Sequence, residues 1–561
     1  MKEHIQSGFN VLQRVVAECI IRLRESYNFG GLVGGVMFYG ISFLPSLMPR
    51  PWVFQLFITG LSVAIGYGIG TIASDAIRWA TEYTVPQRTL RRLWRGLLVF
   101  AVIVIVSFTI LGSVWQSEVS SLVGMQPVGS SRYLLVAAGS LILGAVFIGL
   151  GRGLKRLIKF IANKSEKYVP RRIAVLMGVL IVLVGMYWAL TGVLFNFFVS
   201  TANDIYLSQN RQTPEGVLPP TSSLRSGGPG SLIAWDDIGF QGKNFIGRGP
   251  SVAQLAEFSG EPVKQPIRVY AGLESAPTAT ERAMLALEEL QRTGAFEREV
   301  LVLANVTGTG WLEPEAVDSI EYMHNGDTAI VAQQYSYLPS WISFLVDQNN
   351  ATEAGQALFD VVQSAWAELP EASRPRLITY GLSLGSFAAQ SPYAGANDLR
   401  QSVDGALFVG TPNQTRLWRA ITDDRTLGSP QWLPEYRDGK TVQFAGKDIK
   451  GAIDSEVWNY PRVLYMQHAS DPVVWFDFGV LVRQPDWLRE PAGPDVSERM
   501  TWYPVVTFLQ LAIDQFFGTI VPSGYGHMYG ESMVEAWSLV APPDDWSAEK
   551  AIKLQQLIEE Y

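Results

Sequence analysis

Residues 376–390 read RLITYGLSLGSFAAQ. A short apolar run ends at Gly381, Ser383 stands alone between Gly381 and Gly385, and small residues follow. G-x-S-x-G between a strand and a helix is the pattern of a nucleophile elbow. So sharp a turn packs closely against its neighbours, which calls for small residues at Gly381 and Gly385. It would hold the hydroxyl of Ser383 at the carboxyl edge of a sheet, facing the N-terminus of a helix that starts at Leu384, where the local field favours negative charge. Five residues of this kind also arise by chance as an ordinary glycine-rich turn. The placement between strand and helix is what gives the pattern its meaning.

The surroundings supply that placement. From about 265 onward, short β-branched runs alternate with helical periodicity. IRVYAG (267–272), VLVLAN (300–305), TAIVAQQ (328–334), RLITY (376–380), GALFVG (405–410) and RVLYMQ (462–467) read as strands. TERAMLALEELQRTG and stretches near 313–325, 351–369 and 503–517 read as helices, the last of them long. Alternation of this kind predicts a mostly parallel sheet covered by helices, and the near-continuous apolar strands fit burial on both faces.

A serine hydroxyl needs a base at neutral pH. The chain has 4 histidines, which shortens the search. His4 is N-terminal and His324 ends a helix far upstream of Ser383. His527, in the glycine-rich loop VPSGYGHMYG, sits where a Ser–acid–His order would deliver the base. The acid belongs in the loop after RVLYMQ. Asp471 in HASDPVVW is the first carboxylate there, with Asp477 and Asp486 as fallbacks; Asp-Pro is also a common turn starter. His468 is expected to shape that loop or the pocket, since a pair with Asp471 would be too few ligands for a metal site. Two backbone donors would complete the constellation: the N–H of Leu384, and one from NVTGTGW (305–311), either Thr309 or Gly310. The aromatic QQYSYLPSW (333–341) reads equally as acyl-pocket lining or as core. No cofactor and no metal is called for by these residues.

The N-terminal third is different in kind. Only 17% of the 561 residues are charged, and the apolar excess is concentrated in the first two hundred. Stretches near 29–48, 52–74, 96–115, 133–150 and 173–199 are each apolar enough, and about the ~20 residues long enough, to cross a bilayer. None carries a charge in its core, which argues against a pump or coupled transporter. Gly30/Gly34 and Gly66/Gly70 are small pairs four apart, suited either to close helix packing or to a groove that admits a lipid. Arginines and lysines cluster in 75–95 and 151–172, which predicts those loops to be cytoplasmic. The expected topology is N-terminus inside, five crossings of the inner membrane and a C-terminal domain outside. Residues 5–23 could form a helix on the inner face, or extend the first span. The Pro/Gly/Ser-rich 201–230 reads as a linker between a membrane domain (1–200) and a catalytic domain (231–561). The single cysteine, Cys19, allows no intrachain disulfide, and a net charge of −8 without a basic stripe argues against nucleic acid as a partner.

Taken together, FLPSLMPRPW (43–52), VYAGLESAPTATERA (269–283), TGTGWLEP (307–314), GDTAIVAQQYSYLPSW (326–341), GLSLGSF (381–387), YMQHASDPVVW (465–475), PDWLREPAGPDVS (485–497) and GHMYG (526–530) resemble the bacterial, mainly actinobacterial, membrane α/β-hydrolase family. The resemblance spans nearly the whole chain. It implies an α-helical transmembrane domain followed by an α/β-hydrolase fold, with Ser383, Asp471 and His527 at the triad positions. It also suggests an ester-linked lipid of the cell envelope as substrate, by association only. Three expectations follow: a membrane-anchored serine hydrolase of acyl esters, an acyltransferase that hands the acyl group to a sugar or lipid hydroxyl, or a non-catalytic membrane scaffold. A complete Ser–Asp–His set speaks against the last.

Overall fold

The computed structural model describes residues 25–82, 86–127, 129–454 and 456–560. Cys19, His4 and the expected helix at 5–23 lie outside them. The chain forms two units. One comprises the residues up to Val193 together with Phe478–Gln484 and Val496–Phe517; the other comprises Leu194–Asp477, Pro485–Asp495 and Gly518–Tyr561.

The first unit is helical. After α1 (Phe29–Ile41) come α2 (Trp52–Thr81), α3 (Gln87–Leu122), α4 (Tyr133–Ser165) and α5 (Arg171–Tyr187). A π-helical stretch, Trp188–Phe195, then carries the helix on into α6 (Asn196–Asn210). Among the described residues, four helices are long and apolar enough to cross a membrane: α2, α3, α4 and the continuous Arg171–Asn210. The fifth expected crossing is shorter than the sequence suggested. Its 13 helical residues rise about 20 Å, below the ~30 Å of a hydrocarbon core.

The glycine pairs explain how α1 and α2 meet. A methyl group at Gly34 would stand 2.2 Å from the carbonyl oxygen of Gly66, and one at Gly70 would stand 2.1 Å from that of Gly30. The space is filled by the partner backbone, so these glycines serve helix packing and not a lipid groove. Beyond α1 the chain is irregular through residues 42–51, and its polar backbone groups are answered by side chains. Gln55 and Gln510 donate to Ser42 O, Gln510 also to Leu44 O, and the Arg50 N–H donates to Gln116. The N–H groups of Leu47 and Met48 donate to Asp514. Buried non-helical backbone needs partners of this kind. Gln510 and Asp514 lie on α8 (Val506–Asp514), nine residues long. The sequence predicted a longer helix here and assigned it to the catalytic domain. It belongs instead to the helical unit, because its polar side chains complete the 42–51 segment. Burial pushes the Asp514 carboxyl up to about 6, against the opposing pull of Arg50.

The second unit is built on a seven-stranded parallel sheet of order β1-β3-β2-β4-β5-β7-β6. The strands are β1 (Ile267–Ala271), β2 (Val300–Asn305), β3 (Thr328–Gln333), β4 (Arg376–Leu382), β5 (Gly405–Val409), β6 (Val442–Ala445) and β7 (Arg462–Met466). Six were legible in the sequence; the four-residue edge strand β6 was not. Both faces are covered, so the strands are buried along almost their whole length. Arg268 inside β1 is tolerated because Glu321 and Asp318 pair with its guanidinium at 2.6–2.8 Å. The helix read from TERAMLALEELQRTG starts with a Thr278–Glu281 capping box and ends at Gly294 in the left-handed region. Of the expected linker 201–230, residues 201–210 continue α6, and the Pro/Gly/Ser-rich 211–230 is not free either. Arg225 bridges to Arg268, Ser226 N–H donates to Arg268 O, and the Arg225 guanidinium reaches Ile246 O and Arg248 O. Turn residues shape its path, while the edge of β1 binds its backbone.

Candidate active site

Ser383 follows β4 with φ 59° and ψ −126°, a conformation that costs a non-glycine residue strain. Its N–H donates to Val409 O at 2.9 Å, which ties the turn to the end of β5. The flanking glycines are required by contact. A methyl group at Gly381 would stand 2.3 Å from Gly385 O, and one at Gly385 would stand 2.1 Å from Asn305 O. α7 (Leu384–Ala389) begins at the next residue, so the Leu384 N–H heads a helix and lacks an intrahelical acceptor.

The expected acid and the expected base meet. His527 Nδ1 lies 2.7 Å from Asp471 Oδ2. That oxygen also accepts from the Tyr529 hydroxyl at 2.7 Å, while Oδ1 accepts from Val473 N–H at 2.8 Å. Asp471 therefore caps the short helix Pro472–Trp475 and orients His527 at the same time. The fallback acids are engaged with arginines: Asp477 with Arg419, and Asp486 with Arg489 and Arg425.

His527, the expected base, is set against the end of β5 by Gly410. The register pairs Leu382 with Val409, so Ser383 and Gly410 are the next residues on adjacent strands. A methyl group at Gly410 would stand 2.6 Å from His527 Cε1. The ring thus lies over the end of β5 beside Ser383. Its Nδ1–H faces the carboxylate, which leaves Nε2 as the basic nitrogen. Nε2 is buried and forms no hydrogen bond among the described residues, so the link to Ser383 Oγ is not made in this state. Ser383 is 4% and His527 7% exposed, and the centre is nearly closed to solvent. Such catalytic hydrogen bonds often tighten only around substrate.

His468 supports the acid loop. Its Nδ1 faces Gly526 O at 2.9 Å, its N–H donates to Tyr529 Oη, and its ring stacks on Tyr529 at 4.1 Å. Burial lowers its pKa, so it is held neutral. His324 is structural, bridging Glu299 and Ala541 O.

The loop after β2 is held by its neighbours. Tyr270 Oη donates to Gly310 O, and Gln334 donates to Thr309 O. Gly310 N–H donates to Thr307 O at 2.9 Å, closing a turn. That corrects one expectation: the Gly310 amide is spent inside the loop. Of the two expected donors only Thr309 keeps an N–H without a hydrogen bond among the described residues. A methyl group at Gly308 would stand 2.8 Å from Leu338 O, and Leu338 with Ile342 packs on Ala202 of α6. Within QQYSYLPSW, Tyr335 and Leu338 are core, whereas Trp341 is partly exposed beside Phe198.

Tyr529 and Gly410 were not singled out in the sequence. GHMYG contains the first, and a glycine just past a buried strand marks the second, but neither signal states a partner.

The comparisons with known proteins bear on the same regions. A family model described as alpha/beta-hydrolase family matches residues 267–554, and one described as alpha/beta-hydrolase family N-terminus matches residues 43–250. The chain belongs to this α/β-hydrolase family. No curated protein and no solved structure matches it. The hydrolase match contains Ser383, Asp471 and His527, and the N-terminal match contains all four helices of spanning length.

Proposed function

We propose that this α/β-hydrolase-family protein is a membrane-anchored serine hydrolase that cleaves acyl esters through an acyl-enzyme on Ser383. The observation that carries the reading is the 2.7 Å contact of His527 with Asp471, on a ring seated over Gly410 beside the strained Ser383 turn. Ser383 Oγ attacks the ester carbonyl and passes its proton to His527 Nε2. Asp471 holds the tautomer and stabilises the imidazolium. The Leu384 N–H, with Thr309 as second donor, receives the oxyanion; one such donor is typically worth about 3 kcal/mol. The leaving alkoxide takes the proton from Nε2. Water, deprotonated by the same nitrogen, then releases the acid. A hydroxyl acceptor in place of water would make the same intermediate an acyl transfer.

Four apolar helices favour an ester-bearing lipid of the membrane or envelope as substrate. The reading places the hydrolase domain outside the cytoplasmic membrane. Its support is the clustering of Arg and Lys in 75–95 and 151–172, the latter reaching the start of the last apolar helix Arg171–Asn210, which leads out of its basic end into the hydrolase unit.

The test is labelling of the full chain by a fluorophosphonate, with Ser383→Ala as control, followed by lipid analysis with and without a hydroxyl acceptor. Labelling that survives Ser383→Ala, or none at all in the wild type, overturns the reading.

A further inference from the structure

Asp514 is the last residue of α8, and its side chain is fully buried. Oδ2 accepts from Leu47 N–H at 3.1 Å and from Met48 N–H at 3.3 Å; Oδ1 lies 3.8 Å from Arg50 Nε, on a side chain that is also fully buried. One turn earlier on α8, Gln510 donates to Leu44 O at 3.0 Å. Phe517 meets Phe54 of α2 edge-on at 5.0 Å. The helical unit therefore grips the chain up to Phe517.

The next residue is Gly518. Its carbonyl accepts the N–H of His527 at 2.7 Å, and a methyl group on it would stand 2.9 Å from the ring of Pro472, which follows Asp471. Gly518 thus touches both the base and the loop of the acid. Three residues separate it from Asp514, so their Cα atoms lie at most about 14 Å apart.

We propose that Asp514 is a positioning residue for the acid–base pair: by docking α8 on residues 47–50, the helical unit fixes Gly518 and, through it, His527 and Asp471. This rests on the reading of Ser383, Asp471 and His527 as the catalytic set. It gives the docking of α8 a positioning role beyond anchorage. A carboxylate serves here because one oxygen accepts from two amides while the other faces the Arg50 guanidinium at 3.8 Å, an ion pair without a hydrogen bond among the described residues. Removing one member of such a buried set leaves the others unpaired.

The test uses the full chain in detergent or nanodiscs, with turnover of a soluble ester and hydrogen exchange of residues 518–530 as separate readouts. Asp514→Ala is expected to lower kcat about tenfold or more at little-changed KM, as a displaced catalytic group does, and to speed exchange in 518–530. Asp514→Asn, whose amide oxygen still accepts from Leu47 and Met48, is expected to recover part of both. Arg499→Ala, which breaks an exposed pair with Glu118 in the same unit, is the control and is expected to leave both unchanged. Wild-type kcat and wild-type exchange in Asp514→Ala would overturn the proposal. So would loss of kcat with exchange in 518–530 unchanged. Where Asp514→Ala does not fold, Asp514→Asn decides: faster exchange in 518–530 supports the proposal and wild-type exchange overturns it. A wild type that never reacts with the fluorophosphonate would sink the catalytic reading, while the exchange data would still decide whether Asp514 orders the loop.

Discussion

The imidazole of His527 occupies the space that a side chain at Gly410 would need. A methyl group there would stand 2.6 Å from Cε1 and 2.9 Å from Nδ1, and Gly410 has φ +54°. Gly410→Ala is therefore expected to push the ring off the end of β5. A shift of about 1 Å at a base typically costs ~10²-fold. The expected outcome is a kcat reduced on that scale at little-changed KM, in protein whose circular dichroism matches the wild type. Undiminished turnover would show that the base can work from another position.

Within the proposed mechanism, Ser383→Ala and His527→Ala each remove a member of a unit that acts together. Each is expected to lower kcat by about 10⁴-fold or more, and the double variant by scarcely more than either single one. Asp471→Asn should give a comparable loss with Ser383 still present, because the amide favours the wrong tautomer. Initial rates on a soluble ester measure all four. Additive losses would mean that the three side chains do not form one device.

What the sequence disclosed and what it concealed divide along local and non-local lines. The turn at Ser383 was legible because Gly381 and Gly385 lie within two residues of it and the strand and helix signals flank it. Asp471 and His527 followed from the order in which such a sheet delivers its loops. β6 was missed because VQFA is only four residues long and includes a glutamine, too brief for a period. Gly410 and Tyr529 escaped notice because their partners are 117 and 58 residues away in the chain. The same holds for α8. Its apolar periodicity announces a helix, but nothing local says that Asp514 answers the amides of Leu47 and Met48, more than 460 residues earlier. α1 ends early for the matching reason: the backbone beyond it can leave the helix because those distant side chains receive it.

Tyr529 donates to the carboxylate oxygen that orients His527. Tyr529→Phe removes that donor from a fully buried acid. A charge-assisted hydrogen bond of this sort is worth roughly 1.5–3 kcal/mol to stability. A lowered melting temperature is expected, together with a kcat reduced severalfold at little-changed KM, because the carboxylate then holds His527 less firmly. A wild-type kcat in the destabilised protein would show that Tyr529 serves packing alone.

His468 gives the hydrolase unit a predictable response to acid. It is buried and stacked on Tyr529, with Asp495, Asp471 and His527 as its charged or titratable neighbours, and burial dominates in lowering its pKa. The unfolded chain takes up a proton near pH ~6.5 that the folded His468 resists. Protons bound more readily by the unfolded state make stability rise with pH. The stability contributed by the neutral ring is therefore full above about pH 6.5 and is lost as the pH falls below it, through the folded value. His468→Gln cannot titrate, and its loss of melting temperature between pH 7.5 and 5 should be smaller than that of the wild type. The comparison is within each protein across pH, so a general destabilisation by the substitution does not disturb it. Equal pH slopes would show that the folded ring takes up its proton as readily as the unfolded chain, with Asp495 and Asp471 offsetting its burial.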